Sequence, residues 1–415
     1  MGGSATTHSA EMDTVVSQES TPSTAPVPSA TSGAASGPEH VTVPTHYDAI
    51  LLAGFGGPEG QDDVIPFLRN VTRGKGIPDE RLEEVAHHYR HFGGVSPIND
   101  QNRALKAALD AELARRNIDL PVYWGNRNWD PYLKDALVAA HSNGHDTLLA
   151  IATSAYSSFS SCRQYREDFA SALDAANLTD TVRIDKVRQF FDHRGFIEPF
   201  IEGVRAGLTS LLTDIPDLAL ESEVEILFST HSIPTADAQL SGPATREFGP
   251  GGAYEDQHLA VCRVIMASIQ AEFPTAHPIS WQLVYQSRSG PASQPWLEPD
   301  INDAIETLPA KGTRAVLIVP VGFVSDHMEV MWDLDTEAIE TAEKHGLTAI
   351  RTQTPGTHPA YVAGLVDLVL ERVNGTPVAD RSSLTELGPW YDVCRPGCCE
   401  NRRLGFKPAV AGVAP

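Results

Sequence analysis

From Tyr47 onward, short runs of apolar and largely β-branched residues alternate with longer stretches of helical periodicity. A strand that is covered on both faces has such a continuous apolar run, and its alternation with helices is typical of a parallel sheet in an α/β fold. The pattern predicts eight strands, at 49–53, 122–125, 148–152, 182–187, 224–228, 280–285, 315–319 and 348–351. Four strands in each half predict two similar doubly wound lobes with a ligand cleft between them.

The parts of the chain follow from where this alternation starts and stops. Residues 1–46 are rich in Ser, Thr, Ala, Pro and Gly and contain no Lys or Arg, which predicts a disordered N-terminal extension. The first lobe is predicted over residues 47–190 and the second over 191–375. A Pro-rich and charged segment then breaks the periodicity, so residues 376–415 are predicted to form a tail with a cysteine cluster.

Charge and cysteine usage narrow the classes of function. The 415-residue chain has 54 acidic and 31 basic residues and a formal net charge of −23, which opposes a nucleic-acid partner and favours a cationic substrate. No apolar run approaches the roughly 20 residues that span a bilayer, so we expect no integral membrane segment. Five cysteines, three of them near the C-terminus, fit metal binding in a reducing cytosol better than a secreted disulfide framework.

Ligands of open parallel sheets bind beyond the carboxyl ends of the strands, so the residues directly after each apolar run are candidates for chemistry. The loop GFGGPEG follows the first strand, but Glu59 occupies its third glycine position and Pro58 removes a backbone donor, which argues against a nucleotide. His231 follows the fifth strand in EILFSTHSIP. It is either a base or metal ligand, or a loop histidine held by the backbone.

A second candidate follows the seventh strand in VLIVPVGFVSDHMEVMWDLDTEA. Glu329, Asp333 and Glu337 are four residues apart on a predicted helix and therefore share one face. A structural role also fits this pattern, with Asp326 as N-cap, Glu329 completing a capping box and the other acids in a solvated stripe. Because like charges four residues apart destabilise a helix, an acidic ladder that faces a cleft indicates the handling of a cation.

Five strings, in this order, resemble motifs of the ferrochelatase family: LLAGFGGPE, FGGVSPIN, LFSTHSIP, YQSRSGPASQPWLEPDI and PVGFVSDHMEVMWDLD. The resemblance covers about residues 47–375 and implies two Rossmann-like lobes that grip a porphyrin, in a cytoplasmic enzyme that inserts Fe²⁺ during haem synthesis. It implies that His231 is an iron ligand and proton acceptor, and that Glu329 is an iron ligand and proton partner. Asp333 and Glu337 would then form an iron route along the helix.

The same resemblance implies contacts to the substrate. Phe55, Ser96, Tyr156 and Trp296 are expected near the ring or its carboxylates, and Arg127 is expected to bind a propionate. For each aromatic residue the alternative is ordinary core packing. Phe55 stands where soluble Gram-positive members place a Tyr that ligates iron, and because Phe cannot do so, the ligand of the product iron is left open.

Four cysteines match the ligand number of a [2Fe–2S] cluster: Cys162, Cys394, Cys398 and Cys399. The resemblance to actinobacterial and animal members, with one cysteine in the first lobe and three in the tail, implies that cluster in a structural or redox-sensing role. The adjacent pair Cys398-Cys399 departs from the expected wider spacing, so a zinc site and accidental clustering stay open. Cys262, in the apolar helical pattern LAVCRVIMAS, is expected to be a buried hydrophobe.

The segment FLRNVTRGKGIPDERLEEVAHHY stands where membrane-associated members carry an apolar lip, and it is heavily charged. Such a segment suits a four-carboxylate substrate met in solution, with Arg69, Arg73 and Lys75 near the extra propionates. We therefore expect coproporphyrin III as substrate and coprohaem as product. The alternatives are protoporphyrin IX, cobalt insertion in corrin synthesis, and a haem-binding protein without catalysis. A transient contact with a downstream enzyme of haem synthesis is also expected.

Overall fold

Each half of the chain builds a parallel four-stranded sheet in the computed structural model, which describes residues 1, 40–74, 76–290, 293–395, 397–400, 405 and 407–412. Within these residues the strands are β1 (Ala49–Gly54), β2 (Val122–Asn126), β3 (Thr147–Ala152), β4 (Arg183–Lys186), β5 (Val224–His231), β6 (Ser280–Gln286), β7 (Ala315–Val319) and β8 (Thr348–Arg351). The strand order is β2-β1-β3-β4 in the first sheet and β6-β5-β7-β8 in the second. The predicted α/β class and all eight predicted strands are confirmed.

Helices connect the parallel strands. The described α-helices are α1 (Val64–Val71), α2 (Asp79–His91), α3 (Ile98–Arg115), α4 (Leu133–Ser142), α5 (Gln164–Ala175), α6 (Arg194–Asp214), α7 (Leu220–Glu223), α8 (Thr235–Gln239), α9 (Gly252–Glu272), α10 (Ile301–Thr307), α11 (Met328–Val330), α12 (Ile339–Lys344) and α13 (Pro359–Asn374). Short 3₁₀ turns lie at Gln61–Asp63, Pro309–Lys311 and Val378–Asp380, and π-helical segments at Phe159–Arg163 and Met331–Ala338. None of the described helices combines the length and apolar character that a bilayer crossing requires.

The register of the parallel pairs brings the carboxyl ends of neighbouring strands level with each other. Gly54 of β1 is opposite Asn126 of β2 in the first sheet, and His231 of β5 is opposite Gln286 of β6 in the second. The loops that follow these strands therefore share one edge of each sheet. Phe55 and Arg127 directly follow the first pair of strands, and His231 is the last residue of β5 in the second pair.

One continuous hydrophobic core runs under both sheets, and the described residues from His40 onward belong to a single unit, Ser36–Pro415. Helix α6 packs closely on α13, because Gly195 has no side chain where a Cβ would lie 2.4 Å from the carbonyl oxygen of Ala360. The boundary between two separate lobes at residues 190 and 191 stays a prediction. Most of the predicted N-terminal extension lies outside the described residues.

Candidate active site

His231 is the last residue of β5, which is buried along its length up to that residue. Its Nδ1–H donates to the carbonyl oxygen of Ser232 at 2.5 Å, an assignment of the ring proton that leaves the Nε2 lone pair directed away from the backbone. The hydroxyl of Tyr254, which is buried in α9, donates to the carbonyl oxygen of His231 at 2.9 Å. The imidazole is therefore held in one orientation, with 34% of its side chain exposed.

The Nε2 atom of His231 faces Glu329 of α11, with 3.5 Å between Nε2 and Oε2. His327 is the N-cap of this helix, and its Nδ1 accepts a hydrogen bond from the N–H of Glu329 at 3.2 Å. The alternative in which Asp326 caps the helix is wrong, because that carboxylate instead pairs with Arg351 at 3.2 Å. A lone pair of the imidazole and a carboxylate oxygen thus face one another, and a proton or a metal cation between them satisfies both.

Asp333 continues this acidic face into the π-helical segment. Its pKa is raised to about 7, chiefly because the carboxyl is buried, and the charges of Glu329 and Glu337 add to the rise. Hydrogen bonds from the Ser287 hydroxyl and from Nε2 of Gln286, the latter at 3.3 Å, oppose it. A carboxyl that keeps a proton near neutral pH releases it when a cation approaches.

Glu337 is the outermost of these acids, and its Oε1 accepts a hydrogen bond from the indole Nε1 of Trp332 at 2.8 Å. The chain turns here in a π-helix rather than in the predicted α-helix. Such wide turns are frequent at functional sites. The charges of Glu329 and Glu337 nevertheless both reach Asp333.

The first half of the chain contains the predicted contacts Phe55, in the loop after β1, and Ser96, in the loop between α2 and α3. Phe55 is half-buried in the loop after β1, and its ring meets Phe67 of α1 edge-on with 6.4 Å between centres. Ser96 is buried against the same loop, where a Cβ on Gly57 would lie 2.7 Å from the Ser96 Cβ. The glycine therefore lets this loop approach Ser96 closely.

Arg127 and Tyr156 are engaged elsewhere in the structure. Nε of Arg127 donates to Asp168 at 2.5 Å, so a propionate reaches this guanidinium only by sharing it with Asp168. Tyr156 is buried, its ring is stacked on His258 at 3.5 Å between centres, and its hydroxyl donates to the carbonyl oxygen of Val321 at 3.0 Å. Tyr156 is thus packed inside the protein, and contact with a substrate requires it to become exposed.

Trp296 lies beside the loop that carries His231. Pro234 and Trp296 form an antiparallel bridge, and the N–H of Leu297 donates to the carbonyl oxygen of Ile233 at 3.0 Å. The segment after β6 is thereby paired with the segment after β5. The structure therefore places Trp296 beside the residues that follow His231.

A histidine cluster around Trp332 was missed by the sequence reasoning. His88 of α2 stacks on the indole with 4.1 Å between ring centres, and His87 and His91 approach it edge-on at 6.0 and 5.6 Å. These contacts place α2, from the first half of the chain, against the π-helical segment of the second. The three histidines are visible in the sequence of α2, but nothing local identifies their tryptophan partner.

The four predicted cluster cysteines are buried together: Cys162, Cys394, Cys398 and Cys399. The sulfurs of Cys162 and Cys394 are 4.0 Å apart, those of Cys398 and Cys399 are 3.7 Å apart, and all are free thiols. Among the described residues these sulfurs do not form a ready-made group of three or more metal ligands. The fold therefore gathers four thiols without arranging them around a common centre. Cys262 is buried within α9, as expected.

The electrostatics of this second site favour an anionic sulfur. The pKa of Cys394 is held well below its usual range, chiefly by hydrogen bonds from the thiols of Cys162 and Cys398. The positive charges of Arg166 and Lys186 lower it further. A thiolate is the form of cysteine that binds a metal.

Comparison with known proteins defines the class of protein. Residues 47–373 match the ferrochelatase family, so the chain belongs to that family of metal chelatases. A Leifsonia xyli protein named coproporphyrin III ferrochelatase is 68% identical over 391 residues, which cover 93% of this chain and 99% of that protein. Proteins with the same name from Tropheryma whipplei and Streptomyces griseus are 56% and 52% identical; each match covers 89% of this chain, and 93% and 97% of the respective relative.

Proposed function

We propose that this chain inserts Fe²⁺ into coproporphyrin III and forms Fe-coproporphyrin III, coprohaem, in the synthesis of haem b. The observation that carries the proposal is the pair of His231 and Glu329, whose Nε2 and Oε2 atoms lie 3.5 Å apart at the carboxyl edge of the second sheet. The relatives named coproporphyrin III ferrochelatase support the choice of substrate.

The reaction exchanges two pyrrole N–H protons for one Fe²⁺, so the site must accept protons and hold a cation. His231 accepts a proton at Nε2, because its Nδ1 proton is committed to Ser232. While their donor atoms are unprotonated, the same two side chains ligate the incoming iron as nitrogen and oxygen donors. Once the iron passes to the porphyrin, Nε2 of His231 takes one pyrrole proton and the carboxylate of Glu329 takes the other. Because they are held on two different elements, they present these atoms to the substrate without rearrangement.

Asp333 and Glu337 are proposed to guide iron to this pair. They are carboxylates, which suit a hydrated divalent cation, and they follow Glu329 along one helical segment. Asp333 is positioned by Ser287 and Gln286, which anchor Oδ2 and leave Oδ1 for a cation. Because the pKa of Asp333 is raised, this carboxyl is partly protonated near neutral pH, and an incoming iron ion displaces the proton.

The porphyrin ring is proposed to contact Phe55, Ser96, Tyr156 and Trp296, with Arg127 on a propionate. Support is strongest for Phe55 and Trp296, which are both partly exposed, Phe55 directly after β1 and Trp296 paired with the loop that follows β5. The binding energy of the macrocycle then helps to distort it, so that a pyrrole nitrogen points at the metal. Tyr156 must become exposed to contact the ring, and Arg127 must share its guanidinium between Asp168 and a propionate.

Coproporphyrin III carries four carboxylates, and exposed cations near α1 support it over protoporphyrin IX. Arg69 and Arg73 are exposed on α1 and directly after it, whereas Lys75 lies outside the described residues. Arg69 contacts Asp79 only at the surface, at 3.2 Å, an interaction that a propionate can replace at small cost. Helix α2 is charged along its exposed face, which suits an aqueous substrate.

We also propose that Cys162, Cys394, Cys398 and Cys399 hold a [2Fe–2S] cluster. Four buried thiols, none of them in a disulfide, supply its ligand set, and the low pKa of Cys394 favours metal binding. The cluster would supply a one-electron redox centre and a covalent connection between the tail and the first half of the chain. Iron insertion itself changes no oxidation state and needs no step at this site.

A cytoplasmic location is part of the proposal, because free buried thiols persist in a reducing compartment. The proposal also includes a transient contact with a downstream enzyme of haem synthesis, because coprohaem must be passed on for decarboxylation of its extra propionates.

The deciding experiment is anaerobic insertion of Fe²⁺, followed by absorbance, into coproporphyrin III and protoporphyrin IX offered separately. Wild type and a His277→Ala control, which changes an exposed histidine, should metalate coproporphyrin III rapidly, and His231→Ala should not. Preference for protoporphyrin IX, or for Co²⁺ over Fe²⁺, would replace the substrate named here. Tight porphyrin binding without metalation would identify a binding protein instead.

A further inference from the structure

Six Arg and Lys residues among those described are more than nine-tenths buried: Arg163, Arg166, Lys186, Arg188, Arg372 and Arg381. Four of these cations pair with carboxylates, as Arg163 with Glu167, Arg188 with Asp192 and Glu371, Arg372 with Asp185, and Arg381 with Asp392. In the described part of the chain, Arg166 and Lys186 have no such ion pair. A buried charge is costly unless an opposite charge compensates it, so these two cations indicate an anion of another kind nearby.

Lys186 ends β4, and its ammonium donates to the carbonyl oxygen of Val187 at 2.7 Å and to Oε1 of Gln189 at 2.6 Å. Both partners are acceptors, which fits a charged ammonium. Both are also neutral, so they orient the charge but do not balance it. Lys186 lines the same cavity as Val393 and Gly412, which adjoin and pair with Cys394 in the tail.

Arg166 of α5 lies under the tail segment that carries Cys394. Its Nε donates to the carbonyl oxygen of Val410 at 2.8 Å, while its Nη1 is buried without a hydrogen-bond partner. Cys394 pairs with Gly412 in a parallel bridge, and a Cβ on Gly412 would lie 1.7 Å from Nη2 of Arg166. The tail thus folds directly over the guanidinium.

We propose that Lys186 and Arg166 are the counter-ions of the metal–thiolate group held by the four cysteines, and that they determine how readily it takes up an electron. This inference rests on the proposed cluster. An oxidised [2Fe–2S] centre with four thiolate ligands carries two negative charges, which two buried cations neutralise. One-electron reduction adds a third negative charge, so the loss of either cation makes reduction less favourable.

The test uses full-length protein purified without oxygen, as wild type, Lys186→Gln, Lys186→Arg and Arg166→Gln. The control is Lys134→Gln, which removes an exposed charge from α4. Iron and acid-labile sulfide are measured for each chain, and the visible absorbance of the cluster is then titrated with dithionite in the presence of redox mediators. We expect a more negative midpoint potential for Lys186→Gln and Arg166→Gln, with Lys186→Arg and Lys134→Gln close to wild type.

Unchanged midpoints in cluster-bearing Lys186→Gln and Arg166→Gln overturn the proposal, and if one variant does not fold, the other decides. Wild type with zinc instead of iron and sulfide refutes the cluster but not the counter-ions, because zinc with four thiolates also carries two negative charges. In that case zinc should be lost to a chelator at least tenfold faster from Lys186→Gln than from wild type, and equal rates overturn the proposal. Wild type that holds neither metal overturns both proposals.

Discussion

The Nε2 atom of His231, at the end of β5, lies 3.5 Å from the Oε2 atom of Glu329, in the helix that follows β7. Strands β5 and β7 are hydrogen-bonded neighbours in the second sheet, so the loops that follow them emerge side by side. The order of the strands in the sheet therefore brings His231 and Glu329 together. The hydrogen bond from Nδ1 of His231 to Ser232 leaves the Nε2 lone pair available to a proton or a metal ion.

Replacement of Glu329 by Gln keeps the shape of the side chain and removes its charge. Because the proposed mechanism needs an anionic partner for His231, kcat/KM for iron insertion should fall by about 10²- to 10⁴-fold. His231→Ala should cause a similar loss, and the double variant should be little worse than the poorer single variant, since the two act as a unit. Glu340→Gln, an exposed change on α12, serves as the control, and near-normal turnover by Glu329→Gln would contradict the assignment.

Asp333→Asn should raise the KM for Fe²⁺ more than it lowers kcat, because the change removes a guiding charge and leaves the catalytic pair intact. The pKa of wild-type Asp333 is about 7, so its carboxylate form becomes abundant as the pH rises through that value. The KM of wild type for Fe²⁺ should therefore fall between about pH 6 and pH 8, and that of Asp333→Asn should change less. Parallel pH profiles for the two proteins would exclude Asp333 from the iron route.

His258 should make the fold sensitive to acid. Burial lowers its pKa to about 3, whereas an unfolded chain binds this proton near the ordinary value of 6.5. The unfolded state therefore gains protons first as the pH falls, and the free energy of unfolding should drop by about 2 kcal/mol from this residue at about pH 5. Urea unfolding at about pH 7.5 and pH 5 should show a smaller drop for His258→Gln than for wild type or for His277→Gln.

Gly195→Ala should destabilise the fold by about 1–3 kcal/mol, as expected for an overpacked core. The new Cβ would lie 2.4 Å from the carbonyl oxygen of Ala360 and 2.8 Å from Cα of Gly364, and both are backbone atoms that cannot rotate away. Gly60→Ala is the matched control, because a Cβ there has no neighbour within 4 Å. Equal urea midpoints for the two variants would show that α6 and α13 adjust more easily than their packing implies.

Two buried cysteines of the chain, Cys394 and Cys262, allow a matched test of metal ligation. Cys394→Ser should lower the iron and sulfide content strongly, because it removes a proposed ligand that contacts both Cys162 and Cys398. Cys262→Ser also places a hydroxyl in a buried position, in α9, but should leave that content unchanged. If both variants lose iron and sulfide equally, the loss reports general destabilisation rather than ligation.

The periodicity of the chain was enough to predict both sheets, because a strand covered on both faces must be apolar along its length whatever packs on it. The position of His231 followed from the same reasoning, since a polar residue directly after such a strand lies at the carboxyl edge of the sheet. The motifs then linked His231 with Glu329. The prediction from local sequence that Asp326 could be an N-cap was wrong. Asp is a favourable residue at that position, but the Asp326 carboxylate forms an ion pair with Arg351 of β8 instead.

The sequence by itself determined the α/β class, the eight strands, and the residue types that are proposed to accept protons, hold a cation and bind metal, because these depend on local order and side-chain chemistry. Only the tertiary structure decided that Tyr156 is buried against His258, that Trp332 contacts the histidines of α2, and that Arg166 and Lys186 are buried without a carboxylate partner among the described residues. The physical reason is that burial and charge compensation depend on partners far away in the chain. No periodic pattern records such partners.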